Sequence, residues 1–410
     1  MKNTNLEIAF THIITRKRQT LVAALGVLVG VGIYLFMNSL SAGFSDFSRD
    51  EIFKNSAHIK IIKDDQISVP FYQSKDKNEL AIMNNPQILA ENKTLLNPSV
   101  LLKNVLNEPY ITNAVMQVDF SAFYNKGTAQ VKGTGNGVDI LAYSDMYNTA
   151  KYMVAGSIND LPGNLNGIII GSGIASKLSL GLNDNLVVSS SLGITKTMKI
   201  VGIFKTGSSM SDNQRSFVNI ATAQQFLKQN PSYVSTVFAN TPDPDKSKDF
   251  AKRLQQITAY KVEDWTVTNA DLVAGDKTRS TMMGAISLSI LLVASFGIYN
   301  ILSATISQKI NDIAILKAIG FTGGDVIKIF VVEALIMGII GTIAGLIFGG
   351  ILIFIMQNVY MGGPVGYFPI TFEPQIFATS AVLGILITLC AGYFPAKKAA
   401  NVDPVSIFRK

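Results

Sequence analysis

Four stretches of this chain are almost free of charge and long enough to cross a bilayer, which restricts the possible folds more than any other feature. Thr20 to Phe44 and Ser280 to Gln308 contain no charged residue. Ala334 to Phe372 is also uncharged and has length for one helix plus a Gly/Pro loop, Met361-Gly-Gly-Pro-Val-Gly366. Pro374 to Ala396 is the fourth such stretch. A helix of roughly 20 apolar residues crosses the hydrocarbon core, whereas a buried helix of a soluble protein is shorter and usually keeps a polar face. The chain is therefore read as an α-helical membrane protein with four transmembrane helices. Arg16-Lys17-Arg18 before the first stretch and Leu40-Ser41-Ala42 at its end also resemble a cleavable signal. The apolar run exceeds the roughly 7–15 residues of a signal core, so it is read as a retained span.

Lysine and arginine in short loops set the direction. With a cytoplasmic N-terminus, the cytoplasmic pieces are 1–19, the loop around 308–328, and 397–410. They hold Lys2, Arg16, Lys17, Arg18, Lys309, Lys317, Lys328, Lys397, Lys398, Arg409 and Lys410 against Glu7, Asp312, Asp325 and Asp403. That difference equals the whole formal net charge of +7 and leaves 24 basic and 24 acidic residues elsewhere. The positive charge is thus a topology signal, and a nucleic-acid partner loses its support. The chain divides into a cytoplasmic or interfacial segment (1–19), a first span (20–43), an external domain (44–277) and a second span (278–307). A cytoplasmic coupling helix and turn (308–324), a third span (325–357), an outer loop (358–373), a fourth span (374–395) and a cytoplasmic tail (396–410) follow. Residues 3–14 are offered as an interfacial helix resting on membrane lipid.

The external segment has the residue mix of a soluble domain. Alternation predicts strands at Ala57–Ile62, Ala129–Ile140, Lys196–Phe204 and Ser216–Ile220. Helical periodicity appears at Ser172–Leu180, Thr222–Asn230 and Asp245–Ile257, so the domain is read as α+β. Gly171-Ser-Gly173-Ile-Ala-Ser176 follows an apolar strand, but serine stands where a dinucleotide fingerprint has its third glycine, and a strand-to-helix turn is the better reading. Gly133-Thr-Gly135-Asn-Gly137 is read as a bulge or loop in a strand pair. Residues Asp64 to Pro109 are read as loop with short helices.

Chemistry on the chain itself is sparse. One cysteine, Cys390, precludes an intramolecular disulfide, and two histidines, His12 and His58, give little basis for a zinc site. No G-x-x-x-x-G-K-[ST] phosphate loop occurs in the sequence. No nucleophile–base constellation is visible, which disfavours a membrane-anchored hydrolase. Neither a catalytic residue nor a metal or cofactor site is assigned.

The most informative segment is Ile306-Ser-Gln-Lys-Ile-Asn-Asp-Ile-Ala-Ile-Leu-Lys-Ala-Ile-Gly320. Ile306, Ile310, Ile313 and either Leu316 or Lys317 recur at helical spacing, and Gly320 supplies a stop, which suits either an interfacial helix resting on lipid headgroups or a docking helix for a soluble partner. Asp312 through Gly320 closely resembles the E-I-G-I-L-R-A-I-G-A segment of FtsX-like ABC-transporter permeases, which include the MacB and lipoprotein-releasing LolC/LolE groups. Val332-Glu-Ala334 resembles that family's F-x-x-E-A. Phe394-Pro-Ala-Lys-Lys-Ala-Ala400 with Asp403-Pro-Val405 resembles its closing P-A-R-R-A-A…D-P-V. Ser39-Leu-Ser-Ala-Gly43-Phe44 and Gly167-Ile-Ile-Ile-Gly-Ser-Gly-Ile-Ala-Ser-Lys-Leu178 look most like the Lol group, and the likeness covers the whole chain.

The resemblance implies a MacB-like periplasmic core in a bacterial inner (cytoplasmic) membrane permease. It also implies pairing with a second permease, identical or homologous, and with an ABC ATPase dimer that carries the ATP and Mg. The helix after the second span becomes a coupling helix, with Lys309, Asp312 and Lys317 as charged contacts, Ile313 and Leu316 as apolar anchors, and Gly320 as its end. Mechanotransmission would release lipoprotein or another hydrophobic cargo. An FtsX-like regulator gating an external cell-wall hydrolase and a MacB-like efflux permease are the alternatives. A short turn, Ser190-Ser-Leu-Gly-Ile194, stands where the chaperone-recruiting Lol member has a long hairpin, which fits a hookless partner or a relative with other cargo. Gly26 and Gly30, and Gly341, Gly345 and Gly349, recur every fourth residue and permit close helix approach, either at a dimer seam or inside the subunit. Glu333 is an intramembrane acid at the cytoplasmic end of the third span, by default a functional candidate; so near the boundary it is read as structural, reaching water or pairing with Lys328.

Overall fold

The computed structural model describes residues 9–11, 14, 15, 17–54, 56–64, 93–362, 366–401 and 407. The proposed interfacial helix 3–14 and the Asp403-Pro-Val405 motif fall largely or wholly outside them. The chain divides into two units, residues 1–49 with 274–410, and residues 50–273.

The first unit is built on four long helices of membrane-spanning length and composition. They are α1 (Lys17–Phe53), which also enters the second unit, and three later helices numbered below in chain order.

The second unit holds a mixed sheet of ten strands. In chain order its elements are β1 (Ile59–Ile62), α2 (Pro98–Leu106), β2 (Asn113–Lys126), β3 (Ala129–Val138), α3 (Ile140–Tyr147), β4 (Met153–Gly156), β5 (Gly167–Gly171) and α4 (Ser172–Lys177). Then come β6 (Asn185–Ser190), β7 (Thr195–Phe204), α5 (Ser209–Gln214), β8 (Arg215–Val218), α6 (Ile220–Phe226), β9 (Thr236–Asn240), α7 (Ser247–Ile257), β10 (Lys261–Asp264) and α8 (Trp265–Thr268). Strand β2 pairs with β3, β3 with β8, β8 with β5, β5 with β7, β7 with β6, and β6 returns to β2. That circuit closes a six-stranded barrel, which removes the exposed edges an open sheet would present. The other half of β2 pairs with β9, which carries β1 and β10 outward.

Glycines of β3 fit the barrel's rings. The pairing of β3 with β2 runs without a register shift from Gln117↔Val138 to Lys126↔Ala129, so Gly133, Gly135 and Gly137 lie in a regular strand and not in a bulge. A Cβ on Gly133 would lie 2.8 Å from the Tyr124 ring, and one on Gly135 would lie 2.2 Å from the Phe120 ring. Alternate positions of a strand face one side; Gly133 and Gly135 make room for these aromatics, and Gly137, whose Cβ would lie 2.3 Å from Ala223 Cβ, makes room for α6. Gly171 ends β5 and opens α4, a strand-to-helix turn whose Cβ space is filled by the Asp212 carbonyl at 2.3 Å. The hairpin between β6 and β7 is closed by Ser190 N–H to the Ile194 carbonyl at 2.8 Å, with Gly193 at φ +78°.

Back in the first unit, α1 is joined by α9 (Ala270–Gln308), a short α10 (Ile310–Ala318), α11 (Gly323–Gln357) and α12 (Pro374–Ala400). Between α11 and α12, β11 (Tyr360–Gly362) pairs with β12 (Gly366–Tyr367). Val27 and Val31 of α1, Leu291 and Leu302 of α9, Met337 of α11 and Ala391 of α12 share one buried apolar cluster. Asn38 of α1 donates to Ser287 Oγ of α9 at 3.3 Å, a polar tie of the sort that helps hold apolar helices in register.

Candidate functional site

The cytoplasmic segment begins where α9 ends. Lys309 departs from helical geometry (φ −102°, ψ 14°), and α10 restarts at Ile310. Asp312 in its first turn and Lys317 in its last suit the helix dipole. Gly320 at φ +111° stops the chain, a conformation that side-chain-bearing residues rarely adopt. Thr322 and Asp325 then form a reciprocal capping box that starts α11.

Helix α10 has two unlike faces. Ile313 is buried with Ile306 of α9, Val326 and Phe330 of α11, and Ala396 and Ala399 of α12. Lys317 Nζ donates to the Ala400 carbonyl at 2.9 Å, where the end of α12 offers unused acceptors. Leu316 is half-buried. The opposite face exposes Asp312, Ile315 and Ile319, the two isoleucines by 46% and 73%.

This changes the expected roles. Ile313 cannot be an apolar anchor for a partner, because the chain's own helices cover it, and Lys317 is engaged with α12. The 3.6-residue period explains why: the stripe Ile306, Ile310, Ile313 is continuous with the buried face, and Ile315 and Ile319 lie on the other side. The signal that finds them is an isoleucine pair at i, i+4 outside the main apolar stripe.

The glycine stripes face the chain's own helices. A Cβ on Gly341 would lie 2.5 Å from Val27 Cβ, one on Gly345 2.8 Å from the Leu28 carbonyl, and one on Gly349 2.9 Å from the Gly32 carbonyl. Thus α11 packs backbone-close against α1. Gly30 does the same toward α9, its Cβ position 2.5 Å from Ala294 Cβ, and Gly26 approaches the Ala294 carbonyl more loosely at 3.9 Å. These contacts are those of the intrasubunit alternative. Glu333 is buried, at 5% exposure, and so does not reach water as expected. Lys328 lies 3.8 Å from Asp325.

Four spans with a large extracytoplasmic domain between the first two, and a short helix packed under the last three, are an architecture that fits an ABC-transporter permease, the class that the family models show. The model for the MacB-like periplasmic core domain matches residues 20–257, and that for the FtsX-like permease C-terminal region matches 284–404. The chain belongs to the FtsX/MacB-like permease superfamily. It is a multi-pass inner-membrane protein with a large extracytoplasmic domain. It is 24% identical to an uncharacterised ABC transporter permease of Methanocaldococcus jannaschii, over 98% of this chain and 97% of that one. It is also 24% identical to the lipoprotein-releasing system transmembrane protein LolC of Xylella fastidiosa, over 95% of this chain and 93% of that one. The crystal structure of the periplasmic region of MacB from Actinobacillus actinomycetemcomitans aligns with 54% of this chain and 97% of its own, at 11% identity and TM-score 0.34.

Proposed function

We infer that this chain is a mechanotransmitting permease subunit that releases a lipoprotein or another hydrophobic cargo from the outer leaflet of the inner membrane. Two ATPase subunits and a second permease complete the assembly, and ATP with Mg resides on the ATPase. The observation that carries the reading is the two-faced α10: Ile315, Ile319 and Asp312 are exposed, while the other face is buried under α9, α11 and α12. A partner seated on the exposed face would push on three spans together. Cargo is inferred from the likeness to LolC over 95% of this chain.

The test is reconstitution of the permease with its ATPase in proteoliposomes loaded with a triacylated lipoprotein. ATP-dependent appearance of lipoprotein in the soluble fraction supports release. ATP turnover without release, together with activation of an added cell-wall hydrolase, would replace this reading with that of an FtsX-like regulator. The short turn between β6 and β7 favours a second possibility within release, a subunit that leaves chaperone contact to its partner permease.

A further inference from the structure

We propose that a groove at the outer end of α11 and α12 seats one acyl chain of a bilayer phospholipid. The groove has a volume of about 420 Å³, within the roughly 300–1,000 Å³ range of small-ligand pockets. Ile347, Gly350, Ile351 and Phe354 of α11 line it, with Phe372 and Phe377 across from them. The two phenyl rings stand 4.4 Å apart between centroids.

Two adjacent glycines do different things here. At Gly349 a Cβ would press on the Gly32 carbonyl at 2.9 Å, so that glycine closes α11 onto α1. At Gly350 a Cβ would meet only the Phe377 ring, at an ordinary 3.6 Å, so the missing side chain leaves an opening. Leu346 to Phe354 extends along α11 for roughly 12 Å at 1.5 Å per residue, a linear slot rather than a round pit.

The occupant follows from continuity with the lipid-facing surface. Ile347, Ile351 and Phe354 are exposed by 60%, 53% and 68% on a membrane-spanning helix. No ionisable carboxylate, amine or guanidine stands between Glu333 and Glu373 to hold a charged ligand. Water needs two to four polar partners to settle in such a site, and the lining residues offer no polar side chain. The hydrocarbon of the surrounding leaflet meets these conditions.

Exchange kinetics test this on the full chain. Phe354→Trp and, one residue along the same helix at similar depth, Ile355→Trp are each placed in vesicles of dibrominated phosphatidylcholine, with the signal of Trp265 subtracted. Once the vesicles are dissolved in detergent micelles that hold excess unbrominated phosphatidylcholine, so that lipids mix freely, fluorescence at position 354 is expected to recover several-fold more slowly than at 355. Gly350→Leu, which fills the groove, should bring the two rates together, and Ile355→Trp with Gly350→Leu checks that the helix still inserts. Equal rates without that substitution would reduce the groove to ordinary lipid-facing surface. Absence of quenching at 354 would mean that protein, such as a second permease, covers it; either result overturns the proposal.

Discussion

Tyr124 lies wholly inside the barrel, its hydroxyl 2.8 Å from Ser216 Oγ and 3.2 Å from the Thr134 carbonyl. Burial raises its phenol above the ordinary tyrosine range, and burial does the same at Tyr143. Ionisation is therefore harder in the folded state than in the unfolded one. Their contribution is complete below the unfolded value near 10 and is lost as pH rises through the folded value. Thermal unfolding of the full chain, followed by Trp265 emission, should shift to lower temperature as pH rises above about 10. Tyr124→Phe should make that slope shallower while costing about 1–2 kcal/mol at neutral pH, because Ser216 loses its partner. An unchanged alkaline slope would assign the effect to other groups. Gly341 gives a second residue-scale prediction: Gly341→Val forces side-chain atoms into Val27 and should destabilise the detergent-solubilised chain by about 1–3 kcal/mol. Gly284→Ala, which meets nothing within 4 Å, should leave its melting temperature unchanged or slightly raised.

At the scale of elements, the two faces of α10 allow the proposed binding role to be tested apart from packing. Ile315→Glu or Ile319→Glu alters only the exposed face and should abolish ATPase co-purification while the permease melts normally. Asp312→Lys should weaken the same association. Ile313→Ala removes volume from a buried cluster and should cost about 2–5 kcal/mol of stability, with the ATPase still bound to folded protein. Retention of ATPase by both Glu variants would remove α10 as the docking helix. The helix itself was legible from its period and its glycine stop. Its outward face was not, because periodicity reports that a face is buried without naming what covers it. Strand β2 shows the same limit. Ala114 and Val118 enter one apolar cluster while Val115 enters another, so both faces are covered and the simple alternation expected of a half-buried strand is lost. Closure of the barrel depends on the β2–β6 pairing, Ala122↔Ser190 to Asn125↔Val187. No local pattern encodes a contact at that separation. The four spans needed only hydropathy, and they were plain.

For the molecule as a whole, the proposed function turns on how a push on α10 would reach the spans. Its buried face shares one cluster with the inner ends of α9, α11 and α12, and Lys317 ties it to the Ala400 carbonyl at the end of α12. Close packing makes such a cluster stiff, so displacement of α10 moves three helices rather than deforming one. Loosening the cluster without touching the exposed face should therefore separate ATP hydrolysis from work. Phe330→Leu shortens a side chain that is 2% exposed in that cluster, and Ile315, Ile319 and Asp312 remain in place. In the reconstituted system this variant should bind ATPase at wild-type stoichiometry and hydrolyse ATP at a similar rate, yet release less cargo per ATP consumed. A loss of release that merely follows a loss of bound ATPase would mean that the cluster supports docking alone. Intact release per ATP would mean that the stroke reaches the spans by another route, and α10 would then be a tether rather than a transmitting element.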